Sequence, residues 1–342
     1  MAAKVTIRDV AKRAGVSVAS VSYAINNVDK INSETRQRIL KVIDEMNYKP
    51  SLTARCLSNG SSKLIGITLP LTETGDAPGA LLKNPFFGEF ISGVESITRQ
   101  QGYDILFTGV ETDEQCKDWI QRRKLDGIIM LGVYPKSFFE EVKKLGVPIV
   151  LTDAYEDYAK EFHRVMLEDE MGGYHATRYL IEKGHKKIAF VTGSIKHSPL
   201  NYKRYQGYQR ALQEAGLEEK REYYFEYPVS FLGGYDAAME ILKRECDATA
   251  IFTIADIMAI GMLKAFRENG KEVPDDYSII GFDDIQFDEY VTPGLTTMHQ
   301  NSAQKGSISA EMILEDIQHG RSKGKTVVLK PELVERESVK QL

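Results

Sequence analysis

From residue 63 onward the chain alternates between short apolar runs and longer amphipathic stretches, and this pattern limits its possible folds more than any other feature. KLIGITLP, YDILFTGV, DGIIML and VPIVLTD form a first series, separated by helical patterns around residues 87–101, 113–124 and 136–145. After RVMLED the rhythm restarts with KKIAFVTG, TAIFTIAD and YSIIGFDD. Continuous apolar strands that alternate with amphipathic helices indicate parallel sheets covered on both faces. The break near residue 163 therefore predicts a body of two similar α/β lobes.

The bulk composition is typical of a soluble protein with several domains. The chain has 342 residues, of which 42% are hydrophobic and 27% are charged. It contains no uncharged apolar run of about 18 residues and no secretory signal pattern, which predicts a cytoplasmic protein without a membrane partner. Cys56, Cys116 and Cys246 are scattered and form no CxxC pair. We therefore expect reduced thiols rather than a metal site.

The charge is distributed unevenly. Residues 1–63 carry eleven Lys and Arg against five Asp and Glu, a net charge of +6, whereas the remaining residues carry 33 against 44, a net charge of −11. A basic segment attached to an acidic body favours a polyanionic partner for that segment alone. Solvated surfaces that bind nothing also show imbalances of this size, so charge by itself leaves both interpretations open.

The first fifty residues predict three short helices. Thr6 with Asp9 three positions later is close to a capping box, and Gly15 ends the first apolar-periodic run. Ser17 is the expected N-cap of a second helix and Ser33 that of a third. Two helices joined by a tight glycine-containing turn, with a third to cover them, form a helix-turn-helix unit.

The second of these helices has a composition suited to reading DNA. Its sequence VASVSYAIN is rich in small residues, which can approach base edges closely in a major groove. Flanking basic residues and helix N-termini would hold the phosphate backbone. A three-helix bundle in which the serines are only caps is the alternative. The residues predicted to contact DNA here are Thr6, Arg8, Ser17, Val18, Ala19, Ser20, Ser22, Tyr23 and Asn26.

The stretch VTIRDVAKRAGVSVASVSYAIN, continued by INSETRQRILKVIDEMNYKPSLTARCLSNGSSKLIG, resembles the lactose-repressor family of bacterial transcription regulators. The resemblance covers the whole N-terminal segment and implies a hinge helix at about residues 52–58 that forms only on operator DNA. It implies that Leu57 wedges between base pairs in the minor groove, with Ala54 and Arg55 on the same segment. Ser51 departs from the family, which often has Asn there.

The residues of this segment suit the implied hinge. Pro50 prevents the third helix from continuing, and an isolated helix of about seven residues is too short to persist in water. An apolar side chain that unstacks a base step is an established way to bend DNA from the minor groove. Packing of Leu57 against its own domain is the alternative.

The resemblance also implies a periplasmic-binding-protein-like body. The expected fold is an N-terminal all-α helix-turn-helix headpiece with a hinge helix, followed by a two-lobed α/β body with parallel sheets. The predicted domains are residues 1–50 for DNA binding, 51–62 for the hinge and linker, and 63–342 for effector binding and dimerisation. Lobe one is expected to hold about 63–163 and 295–325, and lobe two about 164–294 and 326–342.

Ligands of such sheets bind outside the carboxyl ends of the strands, here in the cleft between the lobes. Carboxylates at strand ends suit the hydroxyls of a sugar, and aromatic rings suit its apolar face. Phe86 and Phe87 could instead be ordinary core and Asp283 a helix cap, while Asp256 is expected to cap the next helix. The predicted effector-binding residues are Asn84, Phe86, Phe87, Asp153, Tyr202, Arg204 and Asp283.

Two positions depart from what sugar-binding members of the family lead us to expect. Tyr202 stands where they usually carry Arg, five residues before Gly207, and Arg204 is a partial substitute. Ala255 stands where many have Asn. These changes predict an effector other than a bare monosaccharide, such as an oligosaccharide or a purine-like ring stacked on Tyr202. The stretch SPLNYKRYQGYQRAL is also similar to the branch of the family that responds to a phosphorylated carrier protein.

The motifs favour a regulator over an enzyme or a transport component. GxSxG, P-loop, GxGxxG and HExxH patterns are absent, and the six His residues are isolated from one another. A sugar-binding transport component should carry an export signal and no helix-turn-helix. We therefore expect a non-enzymatic, cofactor-free repressor of carbohydrate-utilisation genes that binds a near-palindromic operator as a homodimer. Its expected control is a small-molecule effector, a sugar or derivative, with a non-sugar effector or a phosphorylated carrier as alternatives.

Overall fold

The computed structural model describes residues 5–25, 28–48, 61–70, 84–132 and 134–342. By their contacts the residues fall into two units, 1–64 with 120–126 and 65–119 with 127–342. Four residues predicted to contact DNA, Asn26, Ala54, Arg55 and Leu57, lie outside the described ranges, as does most of the predicted hinge. Within those ranges, no helix combines the length and the apolar character needed to cross a bilayer.

The N-terminal segment contains the three predicted helices, α1 (Ile7–Ala14), α2 (Val18–Ile25) and α3 (Ser33–Glu45). Their inward faces form a small apolar core, because apolar residues recur at helical spacing in each. Its buried members are Val10, Ala11, Ala14, Val21, Ala24, Ile39 and Tyr48.

The ends of these helices follow the predicted capping chemistry with one exception. The predicted capping box opens α1, where Asp9 accepts a hydrogen bond from the backbone N–H of Thr6 at 2.9 Å and the Thr6 hydroxyl accepts from that of Asp9. Gly15 ends the helix with a φ of 65°. The cap of α3 is Asn32, one residue before the predicted one, because its side-chain oxygen accepts from the N–H of Thr35 at 2.8 Å. Asn is as good an N-cap as Ser, so sequence alone does not separate neighbouring candidates.

The body alternates strands and helices as predicted. Its elements up to residue 167 are β1 (Leu64–Pro70), α4 (Pro85–Gln100), β2 (Asp104–Val110), α5 (Asp113–Arg123), β3 (Gly127–Leu131), α6 (Lys136–Lys143), β4 (Ile149–Thr152) and β5 (His163–Leu167). The later elements are α7 (Asp169–Glu182), β6 (Ile188–Thr192), α8 (Pro199–Glu214), β7 (Tyr224–Glu226), α9 (Phe231–Lys243), β8 (Ala250–Thr253), α10 (Asp256–Glu268), β9 (Ser278–Ile280), β10 (Thr297–His299), α11 (Ser302–His319), β11 (Thr326–Leu329) and β12 (Glu332–Val334).

The strands form two larger sheets and a short pair. The first sheet has the order β11-β5-β4-β3-β1-β2, and the second has the order β7-β6-β8-β9. The pairings β1–β3, β3–β4, β4–β5 and β5–β11 in the first sheet, and every pairing in the second, are parallel, whereas β10 and β12 pair antiparallel. Every residue of β3, β4, β6 and β8 is buried, as the continuous apolar runs predict.

The sheets differ from the predicted lobe boundaries at two strands. Both β5 and β11 belong to the first sheet, where Leu329 lies beside Leu167 and Thr326 beside Arg164. The sequence prediction had placed nearly all of β5 and the whole of β11 in lobe two. Periodicity identifies a strand but does not indicate which sheet it joins, so the crossover points could not be located from the pattern.

Close approach of helix backbones places the side chains that matter for the cleft. A Cβ added to Gly207 on α8 would lie 2.0 Å from a backbone oxygen of α7, and one on Gly173 would lie 2.1 Å from the carbonyl oxygen of Arg204. The pair α4 and α11 meets in the same way through Gly93 and Gly306. Because only glycine allows this contact, these four residues set the distance at which α8 and α11 pack against their partner helices.

Candidate DNA-reading helix and effector cleft

Helix α2 divides into a buried and an exposed face. Val21 and Ala24 are buried in the small core, whereas Val18 is 41% exposed despite being apolar. Ser17 begins the helix, because its hydroxyl accepts a hydrogen bond from the N–H of Ser20 at 3.1 Å. The predicted contact residues Ser17, Val18 and Ala19 are exposed, and Ser20, Ser22 and Tyr23 are partly exposed. The first turn of α2 thus presents small side chains to solvent, as a major-groove helix requires.

Basic side chains accompany this face. Arg8, Lys12 and Arg13 on α1 are exposed, and the Lys30 ammonium lies 5.5 Å from the centre of the Tyr23 ring. Exposed Arg and Lys beside a helix-turn-helix can contact phosphates and thereby position the reading helix. Thr6, also predicted to contact DNA, is exposed at the start of α1.

A cleft of about 180 Å³ lies at the carboxyl ends of strands from both sheets. Loops that follow strands of the two sheets meet here, which is where ligands bind in parallel α/β folds. The rings of Phe86 and Phe87 form one wall, with centroids 5.4 Å apart in an edge-to-face arrangement. The other lining residues are Asn84, Leu131, Gly132, Thr152, Asp153, Ser198, Leu200, Asn201, Arg204, Val229, Ile254, Ala255, Asp283 and Gln300.

Asp153 and Asp283 reach the cleft from different sheets. Asp153 follows β4 with a φ of 55°, and the ammonium of Lys305 on α11 donates to both of its carboxylate oxygens at 2.9 Å. Asp283 lies beyond β9 with a φ of 134° and accepts a hydrogen bond from the side-chain amide of Gln300. Burial raises the pKa of Asp283 well above its ordinary value, and the nearby charge of Asp256 adds to this rise. Unusual backbone conformations of this kind concentrate at functional sites.

Arg204 is held in a defined orientation. Its Nε donates to Asp169 at 2.8 Å and its Nη1 to the carbonyl oxygen of Ile254 at 2.6 Å, while the guanidinium lies 3.6 Å from the centre of the Phe282 ring. Asp169 is itself within hydrogen-bonding distance of the Tyr155 hydroxyl. A planar donor fixed on two sides in this way can present its remaining N–H groups to a ligand.

Asp256 stabilises the loop that carries Asp283. Its carboxylate accepts from the backbone N–H of Asp284 at 2.6 Å and from the Thr297 hydroxyl at 2.6 Å. Burial raises the pKa of Asp288 to about 11, and the adjacent charge of Asp256 adds to this rise. Asp256 was predicted to cap α10. The structure corrects this, because Ala255 occupies the cap position and the Asp256 side chain is used by the loop.

Six of the seven predicted effector residues line the cleft together, and Tyr202 does not. Tyr202 is 45% exposed to solvent. Successive helical residues point about 100° apart, and Asn201 and Arg204 occupy the cleft-facing positions of this helix. The proposed stacking of a ring on Tyr202 is therefore not supported by its position.

Sequence reasoning missed Gln300, Lys305, Asp169 and Asn201. Of these, Lys305 had a detectable signal, because it is a charged residue at a core-facing position of an amphipathic helix, where an apolar residue is expected. Of the other three, Gln300 and Asn201 line the cleft and Asp169 holds Arg204, and only the folded structure brings these residues together.

Two family models match the chain. One, described as "Bacterial regulatory proteins, lacI family", matches residues 6–51, and another, "Periplasmic binding protein-like domain", matches residues 177–339. The HTH-type transcriptional repressor PurR of Mannheimia succiniciproducens is 34% identical over 98% of this chain and 99% of its own length. The chain belongs to the lacI family of bacterial regulatory proteins. It is a DNA-binding transcriptional regulator with a periplasmic-binding-protein-like body.

Solved structures of lacI-family proteins have the same architecture. The lac repressor dimer bound to operator and the anti-inducer ONPF superposes with a TM-score of 0.84 at 25% identity, covering 99% of this chain and 100% of that one. A lacI-family regulator from Enterococcus faecium with bound ribose has a TM-score of 0.72 at 28% identity and covers 82% of this chain and 99% of its own.

Proposed function

We propose that this lacI-family regulator is a repressor that binds a near-palindromic duplex as a homodimer and is controlled by a sugar or sugar derivative in the cleft. The observation that carries the effector proposal is the cleft itself, where the carboxyl group of Asp283, the guanidinium of Arg204 and the Phe86 ring line one cavity. A carboxylate accepts hydrogen bonds from hydroxyls, and a guanidinium donates to them. An aromatic ring covers the apolar face of a sugar.

The charges around the cleft favour a neutral ligand. Asp153 is compensated by Lys305, and Arg204 is compensated by Asp169. Burial raises the pKa of the remaining carboxyl group, Asp283, and thereby favours its neutral form. A ligand with a net charge would enter a buried site without a counter-ion, and that costs free energy. Hydroxyl groups carry no such penalty when each meets a polar partner.

The relatives support both parts of the proposal. The relative from Mannheimia succiniciproducens is named a transcriptional repressor, and the operator-bound lac repressor is a dimer. The Enterococcus faecium regulator holds ribose. A homodimer also follows from the physics of recognition, because one short helix reads only a few base pairs and two-fold symmetry doubles the site.

The first prediction concerns the ligand and Asp283. In a thermal-shift screen of the full chain with D-ribose, D-glucose, cellobiose, adenine and hypoxanthine, we expect at least one sugar to raise the unfolding midpoint, because a ligand stabilises the state that it binds. Asp283→Asn should weaken the affinity for that sugar about tenfold or more, since a carboxyl oxygen that can accept from a sugar hydroxyl is replaced by an amide nitrogen that only donates.

The matched control is Asp236→Asn, which changes an exposed carboxylate on α9. It should leave the sugar affinity unchanged. If no sugar stabilises the protein, or if Asp283→Asn binds the sugar as tightly as the wild type, the sugar proposal is wrong.

A planar heterocycle is the second candidate effector. The observation that favours it is the aromatic wall of Phe86 and Phe87, because a flat base can stack on one ring and contact the edge of the other. Stabilisation by adenine or hypoxanthine, without any response to the three sugars, would select this alternative.

A further inference from the structure

Lys305 is a fully buried cation that is bonded to two residues of the cleft lining, Asp153 and Gln300. Its exposed fraction is 0%, and its ammonium donates to both oxygens of Asp153 at 2.9 Å and to the side-chain oxygen of Gln300 at 3.2 Å. The same ammonium lies 5.8 Å from the centre of the Phe86 ring. A buried lysine is costly unless it is paired and hydrogen-bonded, and here the pairing is complete.

The first consequence concerns Asp153. Both of its carboxylate oxygens are engaged by Lys305, and the negative charge that Asp153 brings to the cleft is matched by a positive charge in direct contact. Burial raises the pKa of Asp153, and the ammonium of Lys305 opposes that rise. Asp153 therefore lines the cleft, but its negative charge is compensated by Lys305.

The second consequence concerns the orientation of Gln300. Because its side-chain oxygen accepts from Lys305, its amide nitrogen is the group left to face Asp283, and this nitrogen donates to Oδ1 of Asp283. A continuous polar chain thus runs from Asp153 after β4, through Lys305 and Gln300, to Asp283 after β9. Lys305 is thereby linked to the carboxyl group of Asp283 through Gln300.

We propose that Lys305 determines the charge preference of the cleft, selecting neutral over cationic ligands by compensating Asp153. This inference rests on the proposed function in one respect, that the cleft takes a small polar molecule. Without Lys305 the carboxyl group of Asp153 would lose its counter-ion, and a positively charged ligand would gain a partner there that a neutral ligand does not.

The test compares D-glucose with D-glucosamine, which differ by a hydroxyl and an amine at one carbon. At a pH of about 6.5 an amine with a pKa near that of an α-amino group is protonated. The affinity of the full chain for both compounds is measured by NMR titration in wild type and in Lys305→Met. We expect the ratio of glucosamine affinity to glucose affinity to rise about tenfold or more in Lys305→Met.

The matched control is Lys203→Met, because Lys203 also pairs with a carboxylate, that of Glu170 at 3.0 Å, but on the surface of α8. It should leave the ratio unchanged. If Lys305 had only a structural role, Lys305→Met would weaken the binding of both compounds equally, and the ratio of their affinities would stay unchanged. That result would overturn the proposal.

A second variant keeps the test valid if Lys305→Met does not fold. Asp153→Asn leaves the positive charge of Lys305 without its carboxylate partner, so the ratio of glucosamine affinity to glucose affinity should fall below that of wild type. An unchanged or raised ratio would contradict the proposal. The failure of the sugar proposal is distinguishable. If no sugar of the thermal-shift screen binds the wild type but Lys305→Met binds glucosamine, the sugar proposal fails for the wild type, while the inference about Lys305 holds.

Discussion

At the scale of single residues, Arg204 and Tyr202 show what the sequence could and could not predict about the site. Both were predicted from the same stretch of α8, yet Arg204 is 3% exposed beside the cleft and Tyr202 is 45% exposed away from it. The position of a residue in a motif indicated the right helix. The direction of its side chain depends on the rotation of that helix, which the packing of Gly207 against α7 sets.

Lys305 and Gln300 show which residues of the site could not be predicted from the sequence. They lie about 150 residues beyond Asp153 in the chain, and the hydrogen bonds of Lys305 to Asp153 span a separation of 152 residues. No local pattern indicates which distant side chain will compensate a strand-end carboxylate. Residues that follow strands could be predicted, because a parallel sheet brings all carboxyl ends to one edge, but their counter-ions could not.

A pH prediction belongs to His185, which is fully buried. Its Nε2 donates to the carbonyl oxygen of Lys340 at 3.2 Å, and its Nδ1 lies 2.9 Å from the Thr249 hydroxyl. Burial lowers the pKa of His185 below its ordinary value of 6.5. The folded protein therefore binds this proton less readily than the unfolded chain does.

The contribution of a neutral His185 to stability should be complete above pH 6.5 and should be lost as the pH falls below that value. The measurement is the difference in unfolding midpoint between wild type and His185→Asn from about pH 8 to about pH 5. We expect the advantage of the wild type to shrink toward acid pH. An advantage that stays constant or grows toward acid pH would contradict this assignment.

At the scale of elements, the strands and the start of α1 were predictable, and the crossovers were not. Continuous apolar runs identified β3, β4, β6 and β8, and the Thr6 capping box identified the start of α1. The membership of β11 in the first sheet was missed because strand pairing is a long-range property. The crossings of α7 with α8 and of α4 with α11 likewise depend on glycines whose partners lie far along the chain.

The element-scale prediction tests the crossing of α7 and α8. Gly207→Ala would place a Cβ 2.0 Å from a backbone oxygen of α7, so the two helices must move apart. We expect a loss of about 1–3 kcal/mol in the free energy of unfolding, as for other overpacked sites. Urea denaturation measures this loss, and the ligand affinity should fall with it because Arg204 is displaced from Asp169.

The control is Gly88→Ala on α4, where an added Cβ meets no atom within 4 Å. Alanine is favoured over glycine in a helix by about 0.5–1 kcal/mol, so this variant should be as stable as wild type or slightly more stable. Equal stability of both variants would show that the α7–α8 contact is looser than described.

At the scale of the whole molecule, the segment that contains the helix-turn-helix and the segment that contains the cleft carry opposite net charges. The basic residues 1–63, with a net charge of +6, include the helix-turn-helix, and the acidic remainder, with a net charge of −11, includes the cleft. An acidic body disfavours nonspecific contact with a polyanion, and the basic segment attracts it.

The most direct test of the central claim is selection of bound duplexes from a random pool by the full chain. Fluorescence anisotropy then compares the selected duplex with a scrambled duplex at a salt concentration of about 0.15 M. We expect a two-fold symmetric site that is bound at least about a thousandfold more tightly than the scrambled duplex. The absence of an enriched site, or equal affinity for the two duplexes, would contradict the claim that the N-terminal helices read DNA sequence.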